Sequence, residues 1–491
     1  MDTVIDEFKI KRVSPFKEEY LLIIFSILLY IQLYNYVVSS KYSDSSIVGN
    51  SIEYVVLFIA LVSLYFPKKI TFNQKVIFIT TALIYRIQVL FYLPVLSSDL
   101  HRNLLFGSVL ADGWNPYLWT IQQLPQLFHH GFVSKVSFTT EWASHSFDYP
   151  SLAIFFFAII TFLVPADNFS GFVLAKAILM IFDILNAYII YKILKDHFNV
   201  NEIAIKVALL YLLNPISVFW INIEGQFESV PLFFILISIY LLFLVSNNSE
   251  NALNSKRALR LKDNYIPYII GFTLGCGVLF KYFPLIYAIP ILFYFGRKFT
   301  YSLNFLFSLI ITVVLLSIPF ILNSYYITNF LMFQLSRNGN TVNDTNYNIG
   351  FGFQIPGFFV LITFLALLFL FSLYKKFDKK VQTSILGLFA IYGFIYVNNS
   401  IFSWYVLWLF GTLFFINTNY DDFFRSLLWT VSLILLILIL DPKYVLIVVE
   451  ILVISYIITL EKLHIVMKRI LPNFISTNQE PVRETIISNK F

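Results

Sequence analysis

The sequence predicts an all-α polytopic membrane protein, and three observations lead there. Its 491 residues are 58% hydrophobic and only 13% charged, against about 25% charged in a soluble domain. Apolar runs recur at or near the roughly 20 residues that a helix needs to cross hydrocarbon. The runs are also continuous in Leu and Phe, as in Leu361–Tyr374, and lack the alternation of a membrane barrel strand. Within lipid a backbone must satisfy its own hydrogen bonds, so each run is expected to be a helix. Roughly ten to twelve crossings are expected.

In chain order the apolar segments are 20–38, 52–66 and 76–96, followed by a long polar stretch at 97–150. Then come 151–165, 171–191, 207–221, 229–246, 265–281, 284–296, 301–322, 351–374, 381–397, 401–417, 425–440 and 444–460. The first follows Lys9, Lys11 and Arg12 but is long, and no small-residue cleavage site precedes Asn35, so a retained helix is expected rather than a signal peptide. No tandem repeat and no soluble domain is visible. The single Cys276 excludes an internal disulfide framework and a multi-thiolate metal site, and packing is its expected role.

The net charge of +6 is modest and sits in short loops, which is a positive-inside pattern and not a nucleic-acid surface. The N-terminal tail, Lys68–Lys69–Lys75, Lys256–Arg257–Arg260–Lys262, Arg297–Lys298, Lys375–Lys376–Lys379–Lys380 and the tail from Lys462 are therefore expected on the cytoplasmic side. Counting crossings puts 97–150, the turn around Gly225, the Lys281 end of its helix, 334–348 and 398–404 together on the outer face. The count closes only if one of the two segments between 150 and 192 does not cross. The 15-residue segment 151–165 is the one expected to be re-entrant or interfacial.

Four charged residues stand inside apolar segments: Arg86, Lys176, Asp183 and Lys281. Each costs roughly 2.5–3.5 kcal/mol at a helix centre on insertion scales, so each needs a partner or a cavity. Lys176 and Asp183, seven apart, are expected to pair with each other; Arg86 has no evident partner. Lys281, just before Tyr282-Phe283-Pro284, either snorkels at the membrane edge or points toward an anion.

The polar stretch opens Ser97-Ser98-Asp99-Leu100-His101-Arg102, continues through Gly113-Trp114-Asn115-Pro116-Tyr117, and closes Asp148-Tyr149-Pro150-Ser151-Leu152. Collinear with it are Phe182-Asp183, Leu213-Asn214-Pro215, Gly225-Gln226-Phe227-Glu228-Ser229, Phe280-Lys281-Tyr282-Phe283-Pro284, Phe333-Gln334-Leu335-Ser336-Arg337 and Ser403-Trp404-Tyr405. In this order the motifs resemble the GT-C glycosyltransferases, closest to glycosylphosphatidylinositol mannosyltransferase I and its prokaryotic relatives. The resemblance covers about residues 76–417. It leaves 1–75 as a tail with two extra helices and 418–491 as further helices with a basic tail. It departs at His101, where the family's first-loop motif carries a second acid, which puts a paired-carboxylate metal role in doubt.

The resemblance implies a helical bundle with a large extracytoplasmic catalytic loop. It also implies transfer of a sugar, typically mannose, from a polyprenyl- or dolichyl-phosphate donor to a lipid- or protein-linked acceptor, with inversion. A lipid phosphate leaves as a stable anion, so one carboxylate suffices, to take the proton of the attacking hydroxyl; a glycosidase would need two. Asp99, at the family's first-loop acid position, is the expected base, with Asp148 as its rival. Lys281, Gln334 and Arg337 are expected to hold the donor phosphate. Arg102, Gln226, Glu228, Tyr117 and Tyr149 complete the expected substrate-binding set. No cofactor and no bound metal is expected; the expected partners are the lipid-phosphate sugar, a glycolipid or glycan acceptor and membrane lipids, with no nucleic acid. A polytopic transporter or flippase is the competing reading; it would ordinarily show internal repeats and a midplane site. Sequons at Asn343 and Asn398 fall in expected outer loops. The Ile-, Phe-, Tyr-, Asn- and Lys-rich usage favours a prokaryotic, archaeal cell membrane over the endoplasmic reticulum.

Overall fold

The computed structural model describes residues 70–94, 97–124, 145–164, 168–212, 217–250, 265–296 and 298–322. Beyond these it describes Tyr326, the strands at 346–349 and 353–356, scattered positions between 379 and 391, and Trp408. All lie in the first of two compact units, Met1–Leu435, the second being Leu436–Phe491. The two extra N-terminal helices, both sequons, Gln334, Arg337, the Ser403-Trp404-Tyr405 motif and the C-terminal helices lie outside the described residues.

The chain is an all-α membrane protein. Its helices are α1 (Phe72–Val89), α2 (Asp99–Ala111), α3 (Ser151–Leu163), α4 (Asn168–Phe198), α5 (Asn201–Leu212), α6 (Ser229–Glu250), α7 (Ile266–Val278), α8 (Ala288–Phe295) and α9 (Phe299–Ile321). A π-helical turn, Ser217–Ile223, lies between α5 and α6, and a 3₁₀ turn, Phe283–Tyr287, leads into α8. Among the described residues, Phe169–Phe198 and Phe299–Ile321 are long and apolar enough to cross a membrane. A short antiparallel hairpin, β1 (Asn346–Ile349) with β2 (Phe353–Pro356), pairs Tyr347 with Ile355. Its second strand falls at the start of the apolar segment 351–374.

Local chemistry sets these boundaries. Thr71 caps α1 through its hydroxyl, which accepts the Gln74 N–H at 3.2 Å, while the Gln74 side chain accepts the Thr71 N–H at 2.9 Å. That reciprocal pair satisfies two orphan donors of the first turn. Helix α1 ends at Val89, seven residues before the limit suggested by hydrophobicity, because Tyr92-Leu93-Pro94 cannot continue it.

Packing has a lipid face and a protein face. On α9, Phe305, Leu309, Thr312 and Phe320 are buried, whereas Phe307, Ile310, Val314, Leu315 and Ile318 are exposed. So much exposed apolar surface on one stripe suits hydrocarbon, not water. Helix α7 meets the buried face through Gly271 and Gly275. A Cβ at Gly271 would sit 2.3 Å from the Phe305 carbonyl oxygen, and one at Gly275 would sit 2.9 Å from Thr312 Cβ. Small residues four apart let two helix backbones approach this closely. Cys276 is buried on the same helix, in a packing position.

The intramembrane charges pair differently from the sequence expectation. Asp183 bonds Arg86, whose Nη2 donates to Asp183 Oδ2 at 2.9 Å and whose Nε donates to the same oxygen at 3.1 Å. Arg86 also donates to the Leu212 carbonyl and to Ser217 Oγ, and Ser217 Oγ donates to Asp183 at 2.6 Å. Lys176 instead donates to the carbonyl oxygens of Val89 and Tyr92. The expected Lys176–Asp183 pair is absent for a geometric reason. Seven residues of helix rise about 10.5 Å, which puts the two side chains on one face but two turns apart. Arg86, which lacks an evident partner in the sequence, is the partner.

Candidate active site

Four separate stretches converge around the N-terminus of α2. Asp99 occupies the first turn of that helix, where the exposed N–H groups favour a carboxylate. Its side chain is about one-fifth exposed, and Arg102, one turn on, is buried with Nη2 3.7 Å from Asp99 Oδ1. Helical spacing explains the choice of neighbour: positions three apart share a face and positions two apart do not. His101 accordingly packs elsewhere, its ring 4.4 Å from that of Phe172 on α4, and burial lowers its pKa.

The second stretch is the approach to α3. Asp148 is buried 3.4 Å from Arg102 Nη2, and the Tyr149 ring lies 5.3 Å from the Arg102 guanidinium carbon. Burial opposes charge on Arg102, but Asp148, Tyr149 and Asp99 outweigh it and hold the guanidinium protonated beyond its ordinary range. Burial, then the Asp99 charge, pushes the Tyr149 hydroxyl well up. Tyr117 is buried among Phe147, Phe320 and Tyr326, and its hydroxyl donates to the Tyr149 carbonyl at 2.8 Å. This bond braces the segment that carries Asp148.

The third stretch, Glu224–Ser229, follows the π-helical turn. Gln226 Nε2 donates to Asp99 Oδ2 at 2.9 Å and to Ser97 Oγ at 2.8 Å, while Glu224 Oε2 accepts the Ser97 N–H at 3.0 Å. Gly225 has φ +73°, and a Cβ there would lie 2.4 Å from Leu100 Cδ2. Only glycine both takes this conformation without penalty and leaves room for α2. Gly225→Ala is therefore expected to displace α2 and lower activity severalfold or more, with a reduced melting temperature as the check.

The fourth stretch is the turn after α7. Lys281 is buried and ion-paired with Glu228, with its Nζ 4.7 Å from the Phe227 ring centre and 5.4 Å from that of Tyr149. It neither snorkels nor stands alone. Burial pushes the Glu228 carboxyl up more than Lys281 pulls it down. Two buried acceptors, Gln226 Oε1 and Glu228 Oε2, have no hydrogen-bond partner among the described residues. Among the described residues no three His, Cys, Asp or Glu side chains form a metal-binding group.

Of the residues singled out from sequence, Asp99, Arg102, Tyr117, Tyr149, Gln226, Glu228 and Lys281 are thus brought together. Gln334 and Arg337 lie outside the described residues. Glu224 joins the site through Ser97, and an acid beside a glycine between two apolar segments is a readable signal for it.

Comparison with known proteins gives the same direction. The family model described as "Alpha-(1->6)-mannopyranosyltransferase, N-terminal domain" matches residues 34–241, less than half of the chain. That stretch holds Arg86, Asp99, Asp148, Asp183 and the Glu224–Ser229 turn. GPI mannosyltransferase 1 of Saccharomyces cerevisiae (strain ATCC 204508 / S288c) is 31% identical over 129 residues, which is 26% of this chain and 27% of the yeast protein. The chain resembles the GT-C mannosyltransferases. The match to this mannosyltransferase relative spans about a quarter of its length. No solved structure matches.

Proposed function

We propose that the protein is a membrane mannosyltransferase that moves a sugar from a polyprenyl- or dolichyl-phosphate donor to a lipid- or protein-linked acceptor on the extracytoplasmic face, with inversion. The observation that carries this reading is the convergence of a partly exposed carboxylate, Asp99, with two buried cations, Arg102 and Lys281. Asp99 is the general base, placed to take the proton of an acceptor hydroxyl. Lys281 uses one of three ammonium protons on Glu228, so the others are available to a donor phosphate as its charge develops. Gln334 and Arg337 are proposed to complete that phosphate site. The buried acceptor Glu228 Oε2 suits a sugar hydroxyl, which donates.

The face is tested by labelling intact cells with an impermeant thiol reagent. Ser134→Cys and Thr341→Cys are expected to label and Ser255→Cys is not; labelling at position 255 alone would reverse the orientation. The stereochemistry is tested by NMR of the product. The new glycosidic bond is expected to have the opposite anomeric configuration to the donor, and retention would exclude a single displacement with Asp99 as base. The membrane is proposed to be a prokaryotic, archaeal cell membrane.

A further inference from the structure

Resting on the proposal that Asp99 is the base, we propose that Gln226 is its positioning residue, holding the carboxylate away from Arg102 so that one oxygen stays free for the acceptor. The geometry decides which end of the amide faces Asp99. An ionised carboxylate only accepts hydrogen bonds, so the nitrogen must face it, and the same nitrogen donates to Ser97 Oγ. Gln226 is itself immobilised. It is 1% exposed, its backbone N–H donates to the Trp220 carbonyl at 2.8 Å, and Gly225 beside it is packed against Leu100.

The need for such a residue follows from the neighbouring cation. Arg102 Nη2 is 3.7 Å from Asp99 Oδ1, beyond hydrogen-bond length, while a guanidinium and a carboxylate prefer to close into a two-point fork. The terminal torsion of an aspartate is soft, so nothing in Asp99 itself resists that closure. A closed fork would take one lone pair of each oxygen and lower the carboxylate's basicity toward a hydroxyl proton. Gln226 engages Oδ2, the oxygen other than the one nearest Arg102, and Glu224 and Ser97 hold the helix start that carries it.

The test is a double-mutant cycle on the full-length protein in detergent micelles, with polyprenyl-phosphate mannose as donor. Gln226→Leu removes the donor group at similar volume. Its kcat is expected to fall roughly 10- to 100-fold while the donor KM stays within about twofold, since the residue acts through the base and not through donor binding. In the Asp99→Asn background the same change is expected to cost no further rate, because the group it positions is already gone. A full multiplicative loss in that background, or an unchanged kcat in the parent background, would overturn the proposal. Should Gln226→Leu fail to fold, Ser97→Ala loosens the same amide and is expected to lower kcat severalfold with the same coupling; an additive loss counts equally against it. Near-normal activity of Asp99→Asn alone would instead refute the assignment of the base, a separate outcome.

Discussion

Asp183→Asn is expected to be among the most destabilising single substitutions in this protein. Arg86 and Asp183 are both fully buried, and one carboxylate oxygen takes two guanidinium bonds and the Ser217 hydroxyl. Removing one partner of a buried pair strands the other charge and costs about 3–5 kcal/mol, whereas replacing both with apolar residues is often nearly neutral. Arg86→Met with Asp183→Leu should therefore recover most of the stability lost by either change alone. Arg86 also ties the end of α5 and the π-helical turn to α1 through Leu212 and Ser217, so the single variants should lose activity along with melting temperature. Thermal unfolding in detergent checks this; a double variant no more stable than the singles would show that the pair has an indispensable role beyond charge neutralisation.

Asp99→Asn is expected to give the largest loss of rate in a folded protein. The substitution keeps shape and removes the basic oxygen, so turnover should fall roughly 100- to 10,000-fold, the usual cost of a lost general base. Donor binding should be largely intact, because Lys281 is paired independently with Glu228. Asp148→Asn provides the contrast. Asp148 is buried against Arg102, so its loss should lower stability and cost much less in turnover per folded molecule. A larger rate loss for Asp148→Asn would exchange the two roles.

Most of the described helices, and the residues of the candidate site, are legible in the sequence, because hydrocarbon forces apolar runs into helices and turns gather polar residues at their ends. Segments 229–246, 265–281 and 301–322 correspond to α6, α7 and α9 within a few residues. Asp99, Gln226, Glu228 and Lys281 stood out as polar groups flanking such runs. Helix α2 was hidden inside a stretch read as loop, although Leu100, Leu104, Leu105 and Val109 recur at helical spacing and are buried. The π-helical turn was not legible, since one extra residue per turn leaves hydrophobicity almost unchanged. Charge pairing failed for a deeper reason. Periodicity says which residues share a face of one helix but not which helix lies opposite, and Arg86 is 97 positions from Asp183.

The central claim is transfer from a lipid-phosphate sugar at the Asp99 site. The most direct measurement is radiolabelled mannose transfer by purified parent protein and its Asp99→Asn variant, with a lipid extract of the producing cells as acceptor. The parent is expected to transfer mannose from polyprenyl-phosphate mannose and not from nucleotide-linked mannose, and the folded variant is expected to be at least 100-fold slower. Transfer from the nucleotide sugar alone, or equal rates for parent and variant, would contradict the account.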